Sequence, residues 1–394
     1  MSFYRSNSVG SGKNLQLFRQ KPQNKLNLIA LSVRLVKQNT NSALDNIRMK
    51  SKLLILTLML ASIAFGQTGG QHTFQFLDLD FNARSAALGG DFIALKDGDI
   101  NLAVANPASI TSEMDGDLAL NHFLFPSGIN YGQLAYGKTF GDKGTFVGHL
   151  RYVNYGKFKR TDISGVEQGT FTGGDYALGV GYGKSLNKYF SVGGNLNLIF
   201  SHLETYTSFG FGVDVSSTFY DEESNITATI VARNIGYQVK GYTEDNHEPL
   251  PLEVLAGVSY KFHHAPFRLS MIATDITNWD LTYNDPTLVP TVDQLTGDTI
   301  PVPSASFVQK MAYHTNFAVE LLPSDNFFVR VGFNYQRRDA LGIVDRKGAS
   351  GFSFGFGLRT KKFEFNYGLA FYSAAGASNV FGITTNFSDW TRKT

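Results

Sequence analysis

Residues 352 to 358 read Phe352-Ser353-Phe354-Gly355-Phe356-Gly357-Leu358. Phenylalanine or leucine takes every second position, with serine or glycine between. Side chains of a β-strand point alternately to its two faces, so this stretch is a strand with one apolar face and one small, polar face. The same period runs through Phe363, Phe365, Tyr367, Leu369 and Phe371, and through Phe190, Val192, Leu196, Leu198 and Phe200. It returns at Phe209, Phe211, Val213 and Val215.

Carried along the chain, the pattern predicts fourteen strands: 118–125, 129–140, 144–155, 173–185, 190–201, 207–220, 225–235, 252–262, 267–275, 314–322, 327–336, 352–360, 362–371 and 378–388. Most are long enough to cross a bilayer when tilted, whereas strands of soluble domains average about 5 or 6 residues. The connections alternate. Gly141-Asp142-Lys143, 186–189, 221–224, 263–266, 323–326 and the Thr360/Lys361 step are tight, while 156–172, 236–251, 276–313 and 337–351 are long; the first connection, Pro126-Ser127-Gly128, is the short exception on the long side. Long loops at one end and short turns at the other predict an all-β fold, a transmembrane antiparallel barrel of about 14 strands. A soluble sandwich has no reason to segregate its loops. The apolar faces then meet lipid, and Asp214, Arg233, Arg330 and Glu364 face inward. Tyr136, Tyr152, Tyr335 and Tyr367 are candidate interfacial residues.

Charge and composition agree with that reading. The 394 residues carry 35 Lys plus Arg against 33 Asp plus Glu. Ten basic residues and one acid (Asp45) fall in residues 1 to 66, leaving 25 basic and 32 acidic beyond, a net charge of −7. An acidic working region argues against nucleic acid as a partner. The absence of cysteine excludes disulfides, thiolate metal sites, a cysteine nucleophile and a lipoprotein anchor. Met49-Lys50-Ser51-Lys52 followed by the apolar run Leu53 to Phe65 reads as a signal peptide over 49–66, cleaved after Gly66. Residues 1–48 have no fold-like period, and Met49 is the expected start.

Residues 67–116 do not alternate. Asn82 to Gly90 reads as a short helix closed by glycine, and Ile100 to Ala105 as a weak second one ended at Asn106-Pro107-Ala108. This segment is expected to plug the periplasmic mouth of a barrel spanning 117–390. Ala83-Arg84-Ser85-Ala86-Ala87-Leu88-Gly89-Gly90, then Asp97-Gly98-Asp99, then Asn106-Pro107-Ala108, resembles the opening of the FadL-like outer-membrane proteins, a group that includes PorV-like barrels. Further stretches resemble the PorQ family of the Bacteroidetes type IX secretion system. They are Tyr152-Val153-Asn154-Tyr155-Gly156 with Arg160-Thr161-Asp162 and Gly169-Thr170-Phe171, Ala232-Arg233-Asn234-Ile235-Gly236, and Glu248-Pro249-Leu250-Pro251. The resemblance covers essentially all of 67–390; residues 1–48 depart from it. It implies a non-enzymatic outer-membrane protein that anchors a PorZ-like surface protein, and through it PorU and PorV, for cargo processing and attachment. The wider FadL-like group implies the alternative, a channel for uptake of hydrophobic small molecules.

Candidate chemistry is sparse. The 276–313 loop carries Trp279, Asp280, Tyr283, Asp285 and Pro286 and is the candidate partner-docking loop, since aromatics favour contact surfaces. A lid over the barrel mouth is the plainer role for it. Asn106, Pro107 and Ala108 are the candidate plug motif. Gly351-Phe352-Ser353-Phe354-Gly355 matches G-x-S-x-G, but that motif needs a strand-to-helix elbow and this serine sits in an alternating strand. Gly179-Val180-Gly181-Tyr182-Gly183 lacks the helix and lysine of a nucleotide loop and fits a strand needing close backbone approach or strong bending. His263-His264 reads as a solvated turn pair, and the acids at 78, 80, 97 and 99 fill no calcium loop. No catalytic group, cofactor or metal is expected. An outer-membrane hydrolase would require a rim cluster that these residues do not form.

Overall fold

The computed structural model describes residues 72–125, 128–244, 246–282, 289–292, 295, 299–300, 305–342, 348–373 and 376–391. The wall is built from β1 (Asp117–Leu124), β2 (Asn130–Thr139), β3 (Thr145–Thr161), β4 (Glu167–Ser185), β5 (Phe190–Leu203), β6 (Tyr206–Asp221) and β7 (Ile226–Lys240). It continues with β8 (Glu253–Lys261), β9 (Phe267–Ala273), β12 (Thr315–Ser324), β13 (Phe327–Asn334), β14 (Phe352–Arg359), β15 (Phe363–Ser373) and β16 (Gly376–Asn386). These fourteen strands form a closed antiparallel barrel in chain order, and β1 pairs with β16 to shut it. Closure gives every strand two neighbours, so the ladder needs no solvent to satisfy its backbone. The two-residue strands β10 (Thr291–Val292) and β11 (Thr299–Ile300) form a separate hairpin in the excursion between β9 and β12.

The faces divide as the alternation predicts. Leu134, Leu178, Leu196, Leu198, Phe211, Ile230, Val258, Leu269, Phe317, Val331, Phe354 and Phe381 are exposed on the outside. Their strand neighbours Gln133, Asn195, Asn197, Ser259, Ser270, Asn316, Arg330 and Ser353 are buried inside. An apolar outer belt around a polar interior is the reverse of a soluble barrel and is the transmembrane arrangement. Aromatic pairs ring the short-turn end: Phe140 with Phe146, Tyr189 with Phe219, Tyr260 with Phe262, and Phe363 with Trp390.

Three local expectations change. The 156–172 stretch is not a loop. β3 and β4 run on past the apolar belt as a hairpin, with Phe158 stacked on Phe171 at 5.3 Å, and only residues 162–166 turn. Tyr335 is not in a strand. Asn334 ends β13, its side chain accepts the Arg337 N–H, and Tyr335 opens the helix Tyr335–Ala340 with its ring edge-on to Tyr313. The segment before β1 is not confined to the short-turn mouth. Thr73 donates its N–H to the Pro249 carbonyl at the long-loop end, whereas Gly116 donates to Gly137 at the short-turn end. Residues 73–116 therefore pass through the whole lumen.

Candidate functional site in the plugged lumen

The plug is seated by glycine. The helix Ala83–Ala87, capped by the Asn82 side chain, presents small residues to β13–β16. A Cβ on Gly332 would stand 2.2 Å from Gly89 N, and one on Gly355 would stand 2.5 Å from the Ala87 Cβ. A second seat receives Asn106-Pro107-Ala108. Cβ atoms on Gly183 and Gly193 would lie 2.5 and 2.2 Å from Pro107 backbone atoms. Only glycine lets two backbones approach so closely, which gives the 179–183 run its role as part of a docking surface. Asn106 Nδ2 donates to the Ile93 carbonyl at 3.0 Å and to Thr218 Oγ1 at 3.0 Å, and Ala108 N–H donates to Ser216 Oγ at 2.8 Å. The candidate plug motif is thus a buried clamp that hydrogen-bonds the plug to β6.

Charge locks the same segment. Glu320 on β12 is 1% exposed and accepts from Arg84 of the plug, Arg268 of β9 and Arg330 of β13. Arg84 also donates to Asp97 and Asp99, so both acids of the 97–99 turn are ion-paired to the plug's own arginine. Arg233 joins Asp91 of the plug to Glu253 of β8. Buried carboxylates without such partners would carry a large desolvation cost, so each pair also fixes the register of plug against wall. Among the described residues, no group of three or more histidines and acids is placed to hold a metal ion.

Between these locks the lumen is apolar. Leu88, Phe92, Ile93 and Leu102 of the plug pack with Val231, Leu255 and Ile272 of the wall. Nearer the long loops, Phe74, Phe76, Leu77 and Phe81 pack with Phe123, Tyr131, Val153, Ile199 and Leu250. The plug brings these side chains inside, so strand alternation alone could not show them. This second cluster is continuous with a cleft of about 380 Å³ at the long-loop end. Its walls are Phe74, Phe76, Tyr155, Phe158, Leu203 and Tyr242, and its polar lining includes Asp175 and Glu248.

The wall changes beside the cleft. β7 pairs with β8 only from Ile226 to Arg233. Asn234 then adopts φ of +62°, the register of β6 against β7 shifts, and the Asn234 N–H is taken by Asp214. Past this bulge, β7 faces the segment 246–252. Gln238 accepts from Glu248 N–H, and Asn234 Nδ2 donates to the Pro251 carbonyl. Bulges commonly bend a strand away from its partner in this manner.

At the rim, Trp279 stacks on His314 with ring centroids 5.3 Å apart and lies 5.7 Å from Phe307. Phe307, Val308 and Met311 of the helix Phe307–Tyr313 are exposed and share a helix face. The Lys310 ammonium and the Thr282 hydroxyl and N–H hold the Asp280 carboxyl down at about 2. Tyr283, Asp285 and Pro286 lie outside the described residues. The sequence therefore marked one end of this rim but missed the helix beside it, whose Phe307, Val308 and Met311 spacing was the available signal. It also missed the cleft, which five separate segments assemble.

No protein-family model matches the chain, and no curated protein matches it. Among solved structures, similar barrels include the toluene transporter TbuX of Ralstonia pickettii, with TM-score 0.46 and 11% identity over 79% of this chain and 100% of that one. The Pseudomonas putida toluene transporter TodX gives 0.45 and 13% over 79% and 99%. A Pseudomonas aeruginosa FadL homologue gives 0.41 and 11% over 77% and 98%. At these values the functional reading rests on the geometry of this chain.

Proposed function

We propose that this chain is an outer-membrane barrel that takes up apolar or aromatic small molecules from the exterior. The observation that carries the reading is the cleft at the long-loop end, whose aromatic walls run without a break into the apolar cluster inside the lumen. A cleft of this size and lining suits a small organic guest. The plug blocks a straight aqueous path. Beyond Arg233 the irregular segment 246–252 covers β7 in place of the β8 ladder, and movement of that segment would give the guest a sideways route through the wall. The test is to purify the protein from outer membranes in mild detergent and identify extracted small molecules by mass spectrometry. An apolar or aromatic compound that is lost in Leu203→Trp, which fills the cleft, supports uptake. Empty protein that also fails to bind added aromatics counts against it.

A second reading is a platform for a surface protein of the type IX secretion machinery. The exposed apolar face of Phe307, Val308 and Met311 beside Trp279 favours it, because such a patch suits a protein contact. Replacing residues 280–305 with a short Gly-Ser turn should then leave the barrel folded and release a co-purifying surface protein of PorZ type. Retention of that partner would remove the loop from the interface.

A further inference from the structure

We propose that the cleft at the long-loop end selects guests that carry a positive charge, with an aromatic organic ammonium as the type. The inference rests on the uptake reading above and specifies its substrate class. The cleft lining contains two carboxylates, Asp175 and Glu248, and, His72 aside, no basic side chain. Asp175 sits on the inner face of β4 and is only 6% exposed. Its Oδ2 accepts from the Tyr155 hydroxyl. The Ser201 hydroxyl, which accepts from the Tyr242 hydroxyl, also lies against this carboxylate. Asp175 therefore places a buried carboxylate, with no arginine or lysine beside it, on the lining of the cleft, and a cationic guest would offset its charge. The surrounding rings of Phe74, Phe76, Phe158 and Tyr242 supply the other half of such a site. The faces of aromatic rings attract a cation, and desolvation strengthens the attraction. An anionic guest, including a carboxylate, would meet two like charges with no lysine or arginine on the lining to offset them.

The probes are benzyltrimethylammonium and neopentylbenzene, which share one shape and differ by the charge on a single central atom. Each is titrated calorimetrically into the full-length barrel in detergent, with benzoate as the anionic control. The expected result is tighter binding of the ammonium than of the neutral probe by about tenfold. Asp175→Asn should erase most of that preference, read as the ratio of the two affinities measured on the same protein. Glu248→Gln, at the more open edge of the cleft, should erase a smaller part, and it keeps the test available if Asp175→Asn fails to fold. Equal affinity for the two probes, or tighter binding of benzoate, would overturn the charge selection and leave the uptake reading standing. Failure of every probe to bind wild-type protein would overturn both.

Discussion

The Arg84 guanidinium of the plug meets the Glu320 carboxylate of β12 through two parallel hydrogen bonds, Nε to Oε1 at 3.1 Å and Nη2 to Oε2 at 3.2 Å. Arg268 and Arg330 close on the same carboxylate from either neighbouring strand. Glu320 therefore bridges all three arginines in the barrel interior, and Asp97 and Asp99 complete the charge balance. Glu320→Gln keeps the shape and removes the balance. It should cost about 3–5 kcal/mol, the usual penalty for leaving a buried charge unpaired. The midpoint of urea unfolding in detergent checks this, and an unchanged midpoint would show that the cluster is solvated.

The Pro107 seat gives a steric prediction. Gly193→Val forces a side chain into the Pro107 backbone and should cost about 1–3 kcal/mol through overpacking. Gly148→Ala is the internal control, since a Cβ there meets nothing within 4 Å. Equal unfolding midpoints for the two variants would mean that the plug does not rest on β5.

The outer belt gives a third. Leu198 lies mid-strand on β5 and is 48% exposed on the apolar side. Leu198→Arg should destabilise the barrel in lipid vesicles by about 2–4 kcal/mol, as charge does near a bilayer midplane. Ile163→Arg, at the exposed tip of the β3–β4 hairpin, should change stability by less than about 0.5 kcal/mol. Vesicle unfolding that treats the two alike would place the belt outside lipid.

The rim gives a pH prediction. The Asp280 carboxyl is held below its ordinary value, so its contact with Lys310 is fully formed above the ordinary carboxylate range and is lost as pH falls through about 2. At pH 4, pepsin should cut the 276–313 loop faster in Asp280→Asn than in wild type; at pH 2, where the Asp280 carboxyl is about half protonated, the gap should narrow. The pair is exposed, so the difference at pH 4 should be modest, about two- to fivefold. Identical rates at pH 4 would mean that Lys310 does not restrain the loop.

The strands and the barrel were legible because a period of two residues survives in any one strand, without knowledge of its neighbours. Phe354 and Leu198 face lipid, and Arg330 and Asp214 face inward, as alternation alone requires. The glycines were half legible. A backbone approach was readable at Gly183, but nothing nearby in sequence names Pro107, 76 residues earlier, as what approaches. The lumen's apolar clusters were hidden for a related reason. Phe74, Phe76 and Phe81 belong to a segment with no regular period, and their partners are scattered across the wall. The cleft depends on Phe74, Phe158, Leu203 and Tyr242, which share no motif. Asn106, by contrast, was flagged as a helix breaker and proves to be a clamp between plug and wall.

The direction of the plug dictates an order of assembly. Thr73 stands at one mouth and Asp117 begins β1 at the other, so the chain is strung through a ring of which it later forms the first stave. Sealed first, the ring would have to admit more than forty residues end-on, past the glycine seats and the Arg84–Glu320 lock. The seam between β1 and β16 is therefore the natural last step, drawn shut around a thread already in place. The machinery that inserts this protein must then hold an open, half-curled sheet in the bilayer until its own leading segment has been laid across it.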